Sequence, residues 1–193
     1  MRALIGLVFT CALTAAPAGW APWAAREEIA PNTWVDANHS RSGNDSLAIS
    51  GASNLGAYGG WDRVIEGVEP GKWYRATAYY QAQGIEQERQ QVLARLAWRK
   101  ADGKTAGRPD YAYRLEREGA WTKLTVEAPA PEDAASAVVE LRLGFAPKAT
   151  VWWDDISFEP IDTPAARPVR VSSVNLRPLS TYSKQSRWTR SRR

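Results

Sequence analysis

The chain has 193 residues, 44% of them hydrophobic and 24% charged, with a formal net charge of +4 and one cysteine, Cys11. That size and composition fit a single globular domain with terminal extensions, and they exclude a disulfide-stapled scaffold or a thiolate metal site. The basic excess is local: residues 19–160 hold 16 Lys+Arg against 20 Asp+Glu, a net of −4, while residues 161–193 hold 8 Lys+Arg against Asp162 alone, a net of +7. The body of the chain therefore lacks the basic surface that nucleic-acid binding needs, and no nucleic-acid partner is expected.

At the N-terminus Arg2 precedes an apolar run from Ala3 to Leu13, too short to span a bilayer, and Ala16-Pro17-Ala18 supplies a small-x-small cleavage site. Residues 1–18 thus read as a secretory signal peptide, and the mature protein is expected to be secreted or periplasmic and free of the membrane. Cys11 leaves with that segment, and Thr10 before it is a poor match to a lipoprotein acceptor. A mature domain without disulfides must stand on its core.

Residues 19–160 show turn signals at short intervals, among them Ser42-Gly43-Asn44-Asp45, Gly56 to Gly60, Glu69-Pro70-Gly71, Gln83-Gly84, Ala101-Asp102-Gly103 and Pro129-Ala130-Pro131. Alternating runs lie between them: Ser46–Ser50, Lys72–Gln81, Gln91–Trp98, Trp121–Val126 and Ala137–Leu143. Short strands with regular turns predict an all-β fold, a two-sheet antiparallel β-sandwich of the jelly-roll kind. A helix over Ile85–Arg99 competes, since Glu86, Glu88, Arg89 and Gln90 favour it; the alternation after Gln91 predicts a polar loop followed by a strand instead. Period-two alternation sends Tyr74, Ala76, Ala78 and Tyr80 into the core, with Trp73, Arg75, Thr77, Tyr79 and Gln81 outward. By the same rule Val139, Leu141 and Leu143 point inward and Glu140 and Arg142 outward, while Arg95 points outward from its strand. Flat rings interspersed with forked donors and acceptors suit sugars, whose C–H faces stack and whose hydroxyls hydrogen-bond.

The last strand, Val151–Phe158, is aromatic and β-branched and carries Asp154 and Asp155. Alternation groups Trp152, Asp154, Ile156 and Phe158 on one face, so Asp154 is expected inward, where a carboxylate needs a partner or a cation. Residues 161–168 form a proline-punctuated linker, and residues 169–193 a basic tail with little to bury.

The catalytic inventory is thin. His39 stands in a turn without a motif and is expected to be solvated. Glu27-Glu28 and Asp154-Asp155 are sequence neighbours, which on a strand face opposite ways and so do not flank one glycosidic bond. No catalytic residue is assigned.

Taken in order, His39–Ile49, Val68-Glu69-Pro70-Gly71-Lys72-Trp73-Tyr74, Trp98 with Asp102-Gly103-Lys104, Trp121–Leu124 and Trp153–Phe158 make the chain resemble jelly-roll carbohydrate-binding modules of the CenC-like group over about residues 30–160. The resemblance implies a galactose-binding-like jelly roll that binds a polysaccharide or oligosaccharide, with a structural calcium and a tethered catalytic domain as partner. Calcium takes hard oxygen ligands, and the resemblance points to Asp154 and Asp155, with Asp36 and Asn44 of the Ser42–Asp45 turn as weaker partners. For the glycan it points to Tyr79, the outward aromatic of the Pro-Gly-Lys strand. Beside it stand Tyr58 and Trp61 of the glycine-rich Leu55–Trp61 loop, Tyr111 and Tyr113 of a later loop, and the outward Gln81, Arg95 and Arg142. Separately, Val169–Pro178 resembles the opening strand of a carbon–nitrogen hydrolase (nitrilase-like) domain. That implies an alternative: an accessory or interaction domain of a truncated or frame-shifted hydrolase, without sugar binding.

Overall fold

The computed structural model describes residues 17–165; most of the segment read as a signal peptide (residues 1–16), the Val169–Pro178 segment and the basic tail lie outside the described residues. Eleven strands are described: β1 Trp20–Ala24, β2 Asn32–Asp36, β3 Ser46–Ser50, β4 Tyr58–Glu66, β5 Trp73–Gln83, β6 Val92–Arg99, β7 Asp110–Tyr111, β8 Arg114–Glu118, β9 Trp121–Pro129, β10 Ser136–Gly144 and β11 Thr150–Ile161. One helical turn, α1 Glu88–Gln91, precedes β6, and a 3-10 turn spans Glu27–Ile29. The region read as a polar loop followed by a strand is thus a single helical turn and a strand.

The strands form two antiparallel sheets, a five-stranded one in the order β1-β4-β10-β6-β7 and a six-stranded one in the order β2-β3-β11-β5-β9-β8. The all-β, two-sheet jelly-roll sandwich expected from the sequence is what the chain adopts. Alternation explains it most clearly in β5, where Tyr74, Ala76, Ala78 and Tyr80 are buried and the residues between them are not. From the opposite sheet Trp98, Leu96, Leu141 and Leu143 meet Trp153, Val151 and Ile49, all essentially without solvent contact. Burying an aromatic side chain removes roughly 150–250 Å² from water. At about 25 cal/mol per Å² each contributes some kcal/mol of upper-bound stabilisation, which is how the domain stands without disulfides.

Two strands depart from the sequence reading. The glycine-rich stretch expected to be a loop is the start of β4. Gly59 and Gly60 are required there because a Cβ at Gly59 would sit 2.5 Å from the Trp23 carbonyl oxygen, and one at Gly60 2.1 Å from that of Leu141. Close backbone approach between β1, β4 and β10, rather than a turn, is what the glycines serve. In β11 the pairing with β5 slips between Asp154 and Ser157, and Asp155 takes a positive φ of 46°. This bulge lets Val151 and Trp153 point inward before it and Phe158 after it, so strict alternation fails. Asp154, expected inward, pairs with Tyr79 and lies on the outer face.

Candidate functional site

Register decides which residues share a face. On the outer side of the five-stranded sheet, Trp23 of β1 lies opposite Gly60 of β4, and Asp62 of β4 opposite Glu140 of β10. Arg142 follows on β10, Arg95 of β6 opposes Glu140, and Tyr111 of β7 opposes Arg95. Tyr58 opposes Gly144 at the strand end. Four strand spacings of about 4.8 Å place Trp23 and Tyr111 roughly 19 Å apart across this sheet.

Beneath the rings lies a charge network. Arg142 is fully buried, with Trp23 stacked over its guanidinium at 4.2 Å. Its Nη1 donates to the Trp61 carbonyl at 2.9 Å, and its Nη2 lies 2.5 Å from Asp62 Oδ1 and 3.6 Å from Glu140 Oε2. Arg95 binds Glu140 through Nε and donates from Nη1 to the Tyr111 hydroxyl at 3.1 Å. Burial works against the charge on Arg95, but its bonds to Glu140 and Tyr111 outweigh this and raise its pKa above the ordinary range. Burial also raises the Asp62 carboxyl, a push that Arg142 only partly offsets. Two carboxylates and two guanidiniums therefore hold one another in place, and they sum to no net charge. Tyr111 keeps 47% of its surface exposed. Beside it a hollow of about 160 Å³ opens between Arg89, Leu93, Tyr111, Tyr113 and Leu115.

The outer face of the six-stranded sheet is aromatic too, but its groups are spent on one another. Arg41 lies over the Tyr79 ring at 3.7 Å and bridges Asp155 and Glu118. The Tyr79 hydroxyl reaches Glu118 at 3.4 Å. His39, expected to be solvated, stacks on Trp152 at 4.1 Å with its Nε2 3.0 Å from Gln81 Oε1.

Of the residues singled out for sugar contact, Tyr58, Arg95, Arg142 and Tyr111 come together on the five-stranded sheet, with Tyr113 at its edge. Tyr79 and Gln81 fall on the opposite side of the sandwich, under Arg41 and His39. Trp61 is corrected: it is 2% exposed, points into the core from β4, and donates from Nε1 to the Ala48 carbonyl at 3.1 Å. Arg142 points outward as expected, yet it lies under Trp23 and organises the face rather than contacting solvent. Sequence reading did not single out Trp23, Asp62 and Glu140, which the structure brings onto this face. Their signal was present only in part, since Glu140 was already assigned outward, but nothing in the sequence pairs β1 with β4.

The carboxylates proposed for calcium are also committed. Asp154 Oδ2 accepts from the amides of Arg41 at 2.6 Å and Ser42 at 3.1 Å, and its Oδ1 accepts from the amide of Asp155 at 2.6 Å. Asp155 binds the Arg41 guanidinium and the Ser42 hydroxyl. Asp36 accepts from the Asn38 amide at 2.9 Å and from Trp152 Nε1 at 2.8 Å. Burial tends to raise the Asp36 carboxyl, but these bonds prevail and hold it below the usual range. Asn44 sits in an exposed turn. Oxygens that face N–H and O–H donors, with a guanidinium already among them, do not fit a calcium ion. Among the described residues no three His, Cys, Asp or Glu gather as a metal cage.

No protein-family model matches this chain, and no curated protein matches it. Solved structures do. A CBM22-1 xylan-binding domain from Paenibacillus barcinonensis Xyn10C superposes with a TM-score of 0.53 at 16% identity, covering 76% of this chain and 88% of that one. The C-terminal family 22 carbohydrate binding module of Clostridium thermocellum Xyn10B gives 0.52 at 16% identity, covering 77% and 89%. The enzymatically active domain of bacteriophage CBA120 tailspike protein 4 gives 0.58 at 11% identity, where the match covers 75% of this chain but only 20% of that chain. At such identities the likeness is one of fold: the jelly roll of carbohydrate-binding modules. The modules named are of family 22, and they do not support the narrower CenC-like label or the nitrilase-like reading of Val169–Pro178.

Proposed function

We propose that this protein is a non-catalytic glycan-binding module whose site is the outer face of the five-stranded sheet. One observation carries the reading: Trp23, Tyr58 and Tyr111 border a floor on which Glu140 and Arg95 are already paired. Sugar rings stack by their C–H faces on the aromatics, and hydroxyls exchange hydrogen bonds with the carboxylates, the guanidinium and the phenol. Because the polar groups hold one another in position beforehand, little ordering entropy is lost on binding. No acid–base chemistry is assigned, since Asp62 and Glu140 are each held by a guanidinium and neither stands free as a proton donor or nucleophile.

The face has no net charge, which favours a neutral polysaccharide over an acidic one. β-1,4-Xylan is the first candidate, because the modules of like fold are described as xylan-binding. On this reading residues 1–18 direct the protein to a secreted or periplasmic location. Weak single-site binding is then raised by tethering to a catalytic domain.

The test is calorimetry and affinity electrophoresis of residues 19–165 against xylan, mixed-linkage β-glucan, glucomannan, galactomannan and pectin. Binding to a neutral polymer, accompanied by a change in tryptophan fluorescence, is expected. Failure to retain any of the five would overturn the reading and leave the accessory-domain alternative.

A further inference from the structure

Phe145 is the residue the site above does not use. It follows β10 directly, is 64% exposed, and adopts a left-handed backbone with a φ of 53°. A non-glycine residue there is strained, and an aromatic both strained and solvent-facing is usually kept for contact. The surrounding chain bonds it on both sides. Its amide donates to the Ala57 carbonyl at 2.7 Å, and its own carbonyl accepts from Gln91 Nε2 at 3.2 Å. The next residue, Ala146, is buried, and a Cβ at Gly51 would meet its carbonyl oxygen at 2.1 Å.

The ring continues a row. Trp23 meets Tyr58 edge-on at 6.2 Å, and Tyr58 lies nearly parallel to Phe145 at 5.8 Å. Gly144 makes room for this, because a Cβ there would touch the Tyr58 ring at 3.0 Å. Beyond Phe145 a hollow of about 300 Å³ is lined by Leu55, Glu86, Gln91, Phe145 and Lys148. Leu55 is largely exposed. Among the described residues the side chains of Glu86 and Lys148 make no hydrogen bond or ion pair. Apolar surface beside an unengaged acceptor and donor offers a sugar ring both stacking and hydrogen bonds at the end of the main face.

Resting on the glycan reading, we infer that Phe145 and the hollow beyond it form an end subsite, so that the module binds long oligosaccharides better than short ones. Phe145 lies five residues past Glu140, about 17 Å along the strand at 3.4 Å per residue. A disaccharide on Glu140 and Arg95 does not reach it. A longer chain crosses Tyr58 and stacks its last ring on Phe145, with hydroxyls toward Glu86 and Lys148.

The experiment is calorimetry with xylobiose through xylohexaose, and with the matching oligosaccharide series of whichever polymer the panel selects. Wild type is compared with Phe145→Gly, Phe145→Leu and Tyr111→Ala. Glycine suits the left-handed backbone, so Phe145→Gly removes the ring while relaxing the turn, and its melting temperature is expected to hold or rise. Its affinity for the hexasaccharide should fall about fivefold while that for the disaccharide stays unchanged. Phe145→Leu should lose nearly as much, because it keeps apolar area but no flat face. Tyr111→Ala should weaken every length alike. An equal loss at all lengths in Phe145→Gly, or no loss at any length, overturns the end subsite while leaving the main site intact. Absence of binding by wild type at every length, and to every polymer, overturns both.

Discussion

On the outer face of the six-stranded sheet Tyr79 lies beneath Arg41 and Gln81 is engaged by His39, whereas on the five-stranded sheet Tyr111 stays half exposed beside a paired Arg95 and Glu140. Both faces carry aromatics and both carry charge. What differs is where the charge sits. On the six-stranded sheet Arg41 comes from a loop and folds over the ring, closing the patch with the protein's own cation. On the five-stranded sheet the guanidiniums of Arg95 and Arg142 rise from the strands themselves; Trp23 stacks on Arg142 and stays half-buried, as does Tyr58, while Tyr111 remains exposed. The presence of aromatic and polar residues is therefore no measure of a binding face; whether they still have something to offer is.

The largest effect expected from this contrast is on stability. Arg142→Met would leave Asp62 and Glu140 buried without their shared guanidinium, and removing one partner of a buried pair costs about 3–5 kcal/mol. Urea unfolding followed by tryptophan fluorescence measures this. A cost under about 1 kcal/mol, the range of a surface pair, would mean that the network contributes little to the fold.

Binding should separate the faces next. Truncating Tyr111 to Ala is expected to weaken polysaccharide binding by about 2 kcal/mol, roughly thirtyfold, as for a hot-spot aromatic contact. Tyr79→Ala should leave affinity unchanged and lower the melting temperature slightly through the lost stacking of Arg41. The reverse pattern in calorimetry would move the site to the six-stranded sheet.

The smallest expected effect concerns calcium. With Asp154 and Asp155 committed to amides, a hydroxyl and Arg41, neither millimolar calcium nor a chelator should shift the melting temperature by more than the scatter of replicate scans. A calcium-dependent rise of several degrees would show that the Arg41 clasp yields to an ion, and would bring Asp154 back as a ligand.

Much of the architecture could be read from alternation, and β5 shows why. Each of its side chains meets either core or outside, so burial follows the two-residue period of the strand itself. The same rule failed in β11, where the bulge at Asp155 inserts an extra residue and reverses the faces beyond it. In β4 the glycines look like a turn in one dimension, and only the neighbouring backbones of β1 and β10 reveal the contact they allow. Trp61 was misplaced for that reason. Candidate site residues fared in the same way: outward direction was legible for Arg95, Glu140, Arg142, Tyr79 and Gln81, but not what lay on top of them.

The amino-acid order by itself determined the all-β class, the inward faces of β5, β6 and β10, and the mildly acidic body, because each rests on local periodicity or on counting. Tertiary structure alone decided which rings are covered and by what. Trp23 reaches Arg142, and Arg41 reaches Tyr79, across separations in the chain that no local pattern records. The accessibility of a ring depends on whichever distant side chain happens to cover it.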